Sequence, residues 1–361
     1  MDRTEANSGT RDVSERLRFD VAALEAWMVE HVAGFAGPLT VSQFKGGQSN
    51  PTYRLDTPPH HGIASRAFVL RRKPPGALLP GAHAVEREAR VMSALGTIGF
   101  PVPRIHGLCE GSGVIGTPFF VMDLVEGRIV WEAAFPGLDP AARAAHFDAM
   151  NATIAELHTI DPAAIGLADY GKPAGFVERQ VARWSKQYLA DSDAGRLLQM
   201  DALVDWLGKH LPPDRGDVAV VHGDFRCDNM IFAASAPDVR AVLDWELSTL
   251  GDPLADFTYH LLMYRMPAGL FTGLSGLDLA ALGIPSEADY VAAYCRRTGR
   301  AELPDLDYLM VFVMFRLCGI LHGIKGRLAR GNASSAHAAA MAVQLEPLAD
   351  LALAQARAAN L

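Results

Sequence analysis

The sequence predicts an α+β fold with two lobes, a small β-rich N-terminal lobe that contains one helix and a larger, mainly helical C-terminal lobe. The chain has 361 residues, more than the usual domain of about 100–200 residues. Half of the residues are apolar and 20% are charged, a globular composition that excludes wholesale disorder. Strand-like runs occupy the first third of the chain, and helical patterns dominate the remainder. We therefore expect one lobe over residues 1–124, with a polar segment at 1–20, and the other over 125–361.

Short apolar and β-branched runs indicate the strands of the N-terminal lobe. Residues 44–55 combine a polar glycine turn with a strand, FVLRR at 68–72 is a strand stopped by Pro74, and FFVMDL at 119–124 is another. Residues 83–95 carry apolar side chains at the spacing of one helical face. This pattern predicts the single helix of the lobe.

Helical patterns and three short strands make up the expected C-terminal lobe. Long helices are predicted over 139–160 and 176–198, and helical patterns dominate from 254 to the end of the sequence. Between 218 and 244, the runs VAVV, MIF and VRAVL predict a small hairpin region inserted among the helices. A cleft between two such lobes is the expected place for a ligand.

Charge, cysteine spacing and hydropathy exclude several classes of protein. The formal net charge of -8 is unsuited to general nucleic-acid binding. The four cysteines are far apart without a CxxC pair, which excludes a disulfide framework and a zinc site. Residues 1–18 lack the apolar core of a signal peptide, and the apolar run at 308–321 contains Arg316 and is shorter than the roughly 20 residues of a membrane span. We expect a soluble, cytoplasmic protein in which this run is a buried helix, with no membrane partner and an oligomeric state left open.

The strongest motif is VHGDFRCDNMIF at 221–232, followed by VLDWE at 242–246. Asp224 and Asn229 are separated by four residues, which is the spacing of the kinase catalytic loop, and Asp244 ends the next strand. Phosphoryl transfer needs a carboxylate that orients the acceptor hydroxyl and accepts its proton, and hard oxygen ligands for magnesium. We therefore predict that Asp224 is the catalytic base and that Asn229 and Asp244 are metal ligands.

Three neighbours in the same motif are given other roles. Asp228 precedes an inward-facing asparagine and is expected to face solvent. Cys227 is expected to be a packing residue, because no His–Asn arrangement surrounds it in the sequence. His222 is expected to brace the loop by hydrogen bonding.

A glycine-containing turn between strands is the first candidate for phosphate binding in the N-terminal lobe. Its backbone amides can approach phosphate groups closely, although an ordinary hairpin turn has a similar composition. The predicted cofactor-binding residues of this turn are Gly46, Gly47, Gln48, Ser49 and Asn50.

The strand FVLRRK offers a cation for the phosphates. Strand alternation places Arg71 and Lys73 on one face and Arg72 on the other, which removes Arg72 from the candidates. Lys73 directly precedes Pro74 at the end of the strand, so Arg71 is preferred and Lys73 remains the alternative.

The partner of this cation is expected on the helix that follows. Glu88 shares the apolar face of the helix with Val85 and Met92, whereas Glu86 lies on the polar face. A carboxylate on a buried face needs a cationic partner. We therefore predict that Glu88 pairs with Arg71, with a position at the lobe surface as the alternative.

Over residues 41–330 the sequence resembles the aminoglycoside phosphotransferase and choline kinase family. The motifs that carry the resemblance are, in order, GGQSN, VLRRK, EREARVM, FVMDLVEG, VHGDFRCDN and LDWE. The longer match of HGDFRCDNMIF with AVLDWELSTLGDPLADF is similar to a subfamily that occurs alone in bacteria or fused to acyl-CoA dehydrogenase domains in animals. No dehydrogenase domain fits in this sequence, so that activity is not expected.

The resemblance implies a protein-kinase-like fold, the cofactors ATP and Mg²⁺, and phosphorylation of a hydroxyl on a small molecule. It also implies that Met122, Asp123 and Leu124 form the hinge whose backbone meets adenine. Asp256 matches a residue that braces the catalytic loop, although an N-cap or a solvated helix position would also suit it. Arg71 stands where many kinases have lysine, and arginine also binds phosphate.

The charge distribution bears on the acceptor. Residues 295–330 contain seven Lys and Arg against three Asp and Glu, a net charge of +4 in a chain of net charge -8. This window favours an anionic acceptor, and the resemblance suggests a hydroxyacyl-CoA or a hydroxy acid, unless the charges simply form a solvated helix face. The alternatives are an aminoglycoside or choline-type kinase, a nucleotide-binding pseudokinase that regulates a partner, and a metal-dependent hydrolase that uses His222, Asp224 and Asp244.

Overall fold

The computed structural model describes residues 8–46, 50–59, 65–76, 83–271, 273–331 and 336–359. The chain divides into two compact units, each built from segments distant in sequence. The first unit comprises Met1–Trp131, Ala163–Leu167 and Cys227–Ser248, and the second comprises Glu132–Pro162, Ala168–Arg226 and Thr249–Leu361. The first unit thus takes in a segment far beyond the predicted lobe boundary at Leu124, and that boundary stays a prediction.

The first unit is built on a six-stranded antiparallel sheet whose order is β1-β2-β3-β4-β6-β5. The strands are β1 (Thr10–Arg11), β2 (Thr40–Phe44), β3 (Thr52–Thr57), β4 (Arg66–Arg72), β5 (Ile105–Cys109) and β6 (Phe119–Asp123). The strands predicted at 68–72 and 119–124 correspond to β4 and β6, with β4 beginning two residues earlier and β6 ending one residue earlier.

The two faces of the sheet have different neighbours. Strand alternation in β4 places Phe68 and Leu70 on one face, where they join a core with Trp27 of α1 (Val21–His31). Arg71 therefore lies on the opposite face. Helix α2 (Val85–Thr97) packs against β5 and β6 and supplies Glu88.

Helix α2 follows the predicted apolar periodicity but begins later than residue 83. Its buried positions, at the spacing of one helical face, are Val85, Glu88, Ala89, Val91, Met92 and Leu95. His83 has φ of 58°, in the left-handed region, so the helix cannot include it. The predicted helix is present, shifted by two residues to Val85–Thr97.

A second, three-stranded antiparallel sheet of the first unit positions the metal-ligand candidates. It has the order β10-β9-β7, with β7 (Arg128–Ile129), β9 (Met230–Phe232) and β10 (Val239–Val242). Asn229 immediately precedes β9 and Asp244 follows β10, and Leu243 N donates to Asn229 O at 2.8 Å. The hairpin therefore brings the two candidates to the same end of the sheet.

The second unit is mainly helical, with one two-stranded sheet. Strand β8 (Ala219–Val221) pairs with β11 (Thr249–Gly251), a strand that the sequence patterns did not predict. The helices of the described residues are α3 (Pro140–Thr159), α4 (Phe176–Ala190), α5 (Leu198–Lys209), α6 (Pro253–Arg265), α7 (Leu279–Leu282), α8 (Glu287–Thr298), α9 (Leu306–Ala329), α10 (Ala336–Ala342) and α11 (Leu345–Ala358).

The single helix predicted over 176–198 is wrong. Helix α4 ends at Ala190 and α5 begins at Leu198. The Asp191 side chain accepts a hydrogen bond from Ala194 N, and Gly195 has φ of 75°. An aspartate that bonds its own downstream backbone and a left-handed glycine both end a helix.

Helix α9 is the predicted buried helix around residues 308–321. It is 24 residues long and apolar enough, by length and composition, to cross a membrane, but 78% of its most apolar window is buried inside the fold. It packs against α4, α5, α6, α10 and α11. The helix is therefore buried, as predicted, and its packing makes it the core element of the second unit.

Candidate functional site

The first unit contains a cavity of about 320 Å³ beside β4, β6 and the β9–β10 hairpin. Many of the predicted site residues line it. They are Gly46, Arg71, Glu88, Met122, Asp123, Leu124, Asn229 and Asp244. The predicted residues Gly47, Gln48 and Ser49 lie outside the described residues.

Arg71 of β4 is the centre of a charge cluster on the wall of this cavity. Its Nε lies 2.9 Å from Glu88 Oε2, its Nη2 lies 2.6 Å from Asp244 Oδ1, and Nη2 is also 3.7 Å from Glu246 Oε2. The side chains of Arg71 and Glu88 are only 9% and 1% exposed. The planar guanidinium can contact three carboxylates at once, whereas an ammonium offers a single point charge. The ion pair expected between Arg71 and Glu88 is present.

Asn50, two residues before β3, completes the cluster. Its Nδ2 donates to Glu88 Oε1 at 2.8 Å and lies 3.5 Å from Glu246 Oε2, and its Oδ1 accepts from His83 Nδ1 at 2.9 Å. The side chain is fully buried. Asn50 therefore holds the second oxygen of Glu88, a role that its position in a glycine turn did not suggest.

The cluster carries more negative than positive charge, and the pKa of Glu88 reflects this. Burial raises the pKa of Glu88 to about 7; Arg71 opposes the rise, and the carboxylates of Asp244 and Glu246 add to it. Burial disfavours the charged form of Arg71, but the three carboxylates outweigh it and raise the pKa of Arg71 above its ordinary value. The cavity wall therefore attracts cations.

The neighbours of Arg71 in β4 are engaged elsewhere. Arg72 points to the opposite face, where its Nε donates to Thr117 Oγ1 at 2.9 Å and its guanidinium lies over the Phe19 ring. Lys73 forms a partly exposed ion pair of 2.9 Å with Glu86. Arg71 is thus the cation of this strand that lines the cavity, in agreement with the order of preference from the sequence.

Asn229 and Asp244 are the predicted metal ligands, and their chemistry fits magnesium. Asp244 has φ of 65°, and its side chain is 33% exposed on the cavity wall. A carboxylate and an amide oxygen are hard ligands, and protein-bound Mg²⁺ commonly takes one or two carboxylates and completes its shell with phosphates and water. Asp228 also lines the cavity, because the 3₁₀ turn Cys227–Asn229 places Asp228 and Asn229 next to each other at the wall; its solvent-facing role stays a prediction.

The predicted hinge lies at the end of β6, beside apolar cavity walls. Asp123 N donates to Arg104 O at 2.9 Å, and the Asp123 carboxylate accepts from His106 Nε2 at 2.6 Å. The apolar lining near this segment includes Val69, Phe120, Ile231 and Leu243. A slot with apolar walls beside a strand end suits a flat heteroaromatic ring. The contact with adenine stays a prediction.

The predicted base, Asp224, belongs to the second unit, in the loop that follows β8. Its Oδ1 accepts from Tyr259 Oη at 2.5 Å, and its backbone N lies 3.2 Å from His222 Nδ1. His222 is fully buried and Cys227, which belongs to the first unit, is buried as well. These positions agree with the bracing role expected of His222 and the packing role expected of Cys227.

Asp256 holds the same loop from helix α6. Its two carboxylate oxygens accept from His222 N and Gly223 N, both at 2.8 Å, and Oδ2 also accepts from His158 Nε2 at 3.2 Å. Burial opposes the charged form, but these donors and the nearby histidines hold the pKa of Asp256 below its usual value. The N-cap of α6 is Asp252 instead. Asp256 is therefore the brace that the resemblance implied.

The basic window of residues 295–330 is partly neutralised within the second unit. The ion pairs are Arg297–Asp148 at 2.7 Å, Arg300–Asp217 at 2.6 Å and Arg330–Asp191 at 2.7 Å. Arg316 differs from these: its Nη2 donates to Gly223 O at 2.8 Å, and its guanidinium lies 5.3 Å from the centre of the Tyr259 ring. The window thus contributes one cation directly to the loop that contains Asp224.

Sequence reasoning did not find Tyr259 or Glu246. Tyr259 follows Asp256 by three positions on one helix, a spacing that places both side chains on one face and could have indicated it. Glu246 is the last letter of the DWE motif, but nothing local indicated its approach to Arg71.

A model of the phosphotransferase enzyme family matches residues 40–308, which is more than half of the chain. The chain belongs to the phosphotransferase enzyme family. The match spans Arg71, Glu88, Asp224, Asn229 and Asp244. The fold is accordingly the α+β, protein-kinase-like two-lobe fold of this family.

Similar proteins carry two kinds of description. Acyl-CoA dehydrogenase family member 11 of Rattus norvegicus is 41% identical over 357 residues, which is 96% of this chain and 45% of that protein. The chain therefore spans less than half the length of this relative. A crystal structure from Ralstonia eutropha JMP134, provisionally assigned as an aminoglycoside phosphotransferase, has 47% identity and a TM-score of 0.85, covering 95% of this chain and 100% of that one.

A more distant structure shares the fold alone. The GDP complex of wild-type aminoglycoside 2′-phosphotransferase-IIIa has 14% identity and a TM-score of 0.57, covering 93% of this chain and 99% of that one.

Proposed function

We propose that the chain transfers the γ-phosphoryl group of ATP, in the presence of Mg²⁺, to a hydroxyl of a small anionic acceptor, a hydroxyacyl-CoA or a hydroxy acid. The observation that supports this most directly is the cavity in which Arg71, paired with Glu88, lies beside the oxygen ligands of Asn229 and Asp244. A site for a nucleoside triphosphate and its metal ion requires a cation for the phosphates, hard ligands for the metal and an apolar slot for the base, and this cavity offers all three.

Each residue has a part in the proposed reaction. Arg71 holds phosphate oxygens, and Asn229 and Asp244 hold Mg²⁺, which when bound neutralises charge on the phosphates. Asp224 accepts the proton of the acceptor hydroxyl while the hydroxyl oxygen forms a bond to the γ-phosphorus. The bond between this phosphorus and the β,γ-bridging oxygen breaks, and the electron pair leaves on ADP.

The preference for an anionic acceptor depends on Arg316. Its Nη2 donates to the carbonyl of Gly223, next to Asp224, and no carboxylate lies within ion-pair distance of it in the described parts of the chain. A guanidinium has five N–H donors, so one bond leaves others for a carboxylate or phosphate. The name of the rat relative favours an acyl-CoA compound, whereas the Ralstonia structure carries the name of an aminoglycoside enzyme. A polycationic aminoglycoside would meet Arg316 with like charge.

The test is release of ADP from ATP and Mg²⁺ over a panel of acceptors, namely 3-hydroxybutyryl-CoA, 3-hydroxybutyrate, kanamycin and choline. The expected result is turnover with an anionic acceptor, and loss of that turnover in Asp224→Asn. The variant should still bind nucleotide, which a rise of the melting temperature with ATP and Mg²⁺ would report. Repetition with GTP checks the donor, because the related aminoglycoside enzyme was crystallised with GDP.

Other outcomes separate the alternatives. Turnover with kanamycin or choline alone would refute the anionic acceptor and keep the kinase, and binding of ATP without turnover on any acceptor would favour a pseudokinase. A melting temperature that ATP and Mg²⁺ leave unchanged would refute nucleotide binding. The cytoplasmic location expected from the sequence stays a prediction.

A further inference from the structure

Helix α6 holds the loop that contains Asp224 through several side chains of one face. Asp256 accepts from the backbone N–H groups of His222 and Gly223. His260, four residues further along α6, lies with Nδ1 3.1 Å from Phe225 O. Burial lowers the pKa of His260 to about 4, so the ring is neutral near pH 7. Because a carbonyl only accepts, Nδ1 is the donor in this bond, and both contacts fix the backbone of the loop.

Tyr259 contacts the carboxylate side chain of Asp224, whereas Asp256 and His260 contact the backbone of the loop. Its hydroxyl donates to Asp224 Oδ1 at 2.5 Å, and the whole residue is only 6% exposed. This distance is that of a charge-assisted O–H···O⁻ bond, which is about twice as strong as a neutral one. Burial, together with the charge of Asp224, raises the pKa of Tyr259, so the phenol keeps its proton and remains a donor.

Arg316 holds the phenol from a different helix. Its guanidinium lies over the Tyr259 ring, 5.3 Å from the ring centre, and its Nη2 donates to Gly223 O at 2.8 Å. A cation over the face of an aromatic ring is an attractive arrangement that restricts the ring. Tyr259 is therefore fixed by α9 on its ring face and by the loop at its hydroxyl.

We propose that Tyr259 is a positioning residue for Asp224: its hydroxyl holds the carboxylate in one orientation and stabilises the ionised form that accepts the proton. The inference rests on the proposed function, because it takes Asp224 to be the base. It adds a residue that touches neither nucleotide nor acceptor in this role and acts through Asp224.

Several charged or titratable groups surround the Asp224–Tyr259 pair and also influence whether Asp224 is ionised. Arg226 in the loop and Arg316 on α9 favour negative charge at this place. His222 contacts the Asp224 backbone, and Asp256 and His260 lie on the same helix as Tyr259. Because these groups stay in place when only the Tyr259 hydroxyl is removed, a phenylalanine at this position isolates the contribution of the hydrogen bond.

The test compares Tyr259→Phe with a matched control, Tyr264→Phe. Tyr264 lies on the same helix, and its buried hydroxyl has no hydrogen-bond partner among the described residues. The first readout is direct: a ¹³C NMR titration of the Asp224 carboxyl, assigned with Asp224→Asn. Loss of a hydrogen bond to the charged form should raise the Asp224 pKa by about one pH unit in Tyr259→Phe, and not in Tyr264→Phe.

The second readout is ADP release with 3-hydroxybutyryl-CoA across pH. Tyr259→Phe should lower kcat about tenfold with an unchanged KM for ATP, and move the acidic limb of kcat/KM to higher pH by the same shift as the titration. An Asp224 pKa or a kcat that stays at the wild-type value overturns the inference, as does an equal loss in Tyr264→Phe. A wild-type protein that fails on every acceptor overturns the proposed function and with it the base, and the titration then still reports whether the hydrogen bond exists.

Discussion

Replacement of Glu88 by glutamine removes the buried carboxylate beside Arg71, and the variant should gain stability relative to wild type as the pH rises. Burial raises the pKa of Glu88 from 4.5 to about 7, so between these values the folded chain holds a proton that the unfolded chain has released. The stability that protonated Glu88 contributes to the folded chain is fully present below about pH 4.5 and is lost as the pH rises through about 7. Because one pH unit corresponds to about 1.4 kcal/mol, the whole loss is about 3 kcal/mol.

Chemical denaturation of wild type and Glu88→Gln between about pH 5 and pH 8 measures this change. Glutamine cannot ionise, so the difference in unfolding free energy between variant and wild type should move by most of that loss, about 2–3 kcal/mol, in favour of the variant over that range. How well the glutamine amide fits between Arg71 and Asn50 adds a contribution to this free-energy difference that does not change with pH. It therefore does not affect the change between about pH 5 and pH 8.

Glu30→Gln is the control, because Glu30 is exposed on α1 and takes part in no buried ion pair of the described residues. Its difference from wild type should stay constant over the same range. A constant difference for Glu88→Gln as well would refute the reasoning, since it would mean that Arg71 keeps the Glu88 carboxylate as readily ionised in the folded chain as in the unfolded one.

Two further substitutions test the remaining contacts. Arg71→Ala leaves Glu88 buried without its cation, so it should lower the free energy of unfolding by about 3–5 kcal/mol in denaturation experiments and weaken ATP binding in calorimetry. Arg71→Lys should retain part of the stability and part of the ATP affinity. An Arg71→Ala protein with wild-type affinity for ATP would contradict the phosphate role. In Asp256→Asn, the asparagine can accept only one of the two backbone N–H bonds, so the variant should lose about 1–3 kcal/mol of stability. Its kcat should fall while its KM for ATP stays unchanged. A variant with wild-type kcat would show that the loop needs no brace.

Local patterns in the sequence were sufficient for the main elements and for one contact between them. The alternation of β4 and the helical spacing of α2 each determine which side chains share a face, so the pairing of Arg71 with Glu88 follows from residue type and period alone. The single helix over 176–198 failed although its interruption is also local: Asp191 and Gly195 are turn residues that the apolar pattern on either side concealed.

Contacts between distant segments could not be predicted in the same way. Glu246 is 196 positions from Asn50, and Arg316 is 93 positions from Gly223, so no periodicity relates the members of either pair. The basic window is the clearest case: its net charge of +4 is a property of the sequence, but Asp148, Asp191 and Asp217, which neutralise three of its arginines, lie outside it.

The sequence by itself determined the α+β class, the identity of the phosphate-binding and metal-ligand candidates and the pairing of Arg71 with Glu88, because these follow from residue type and from the periods of strands and helices. The tertiary structure alone decided that three carboxylates share one guanidinium, that the basic window is partly paired, and that Tyr259 bonds the carboxylate of Asp224. The physical reason is that burial and charge balance depend on every segment that packs around a group, and those segments are brought together only when the chain folds.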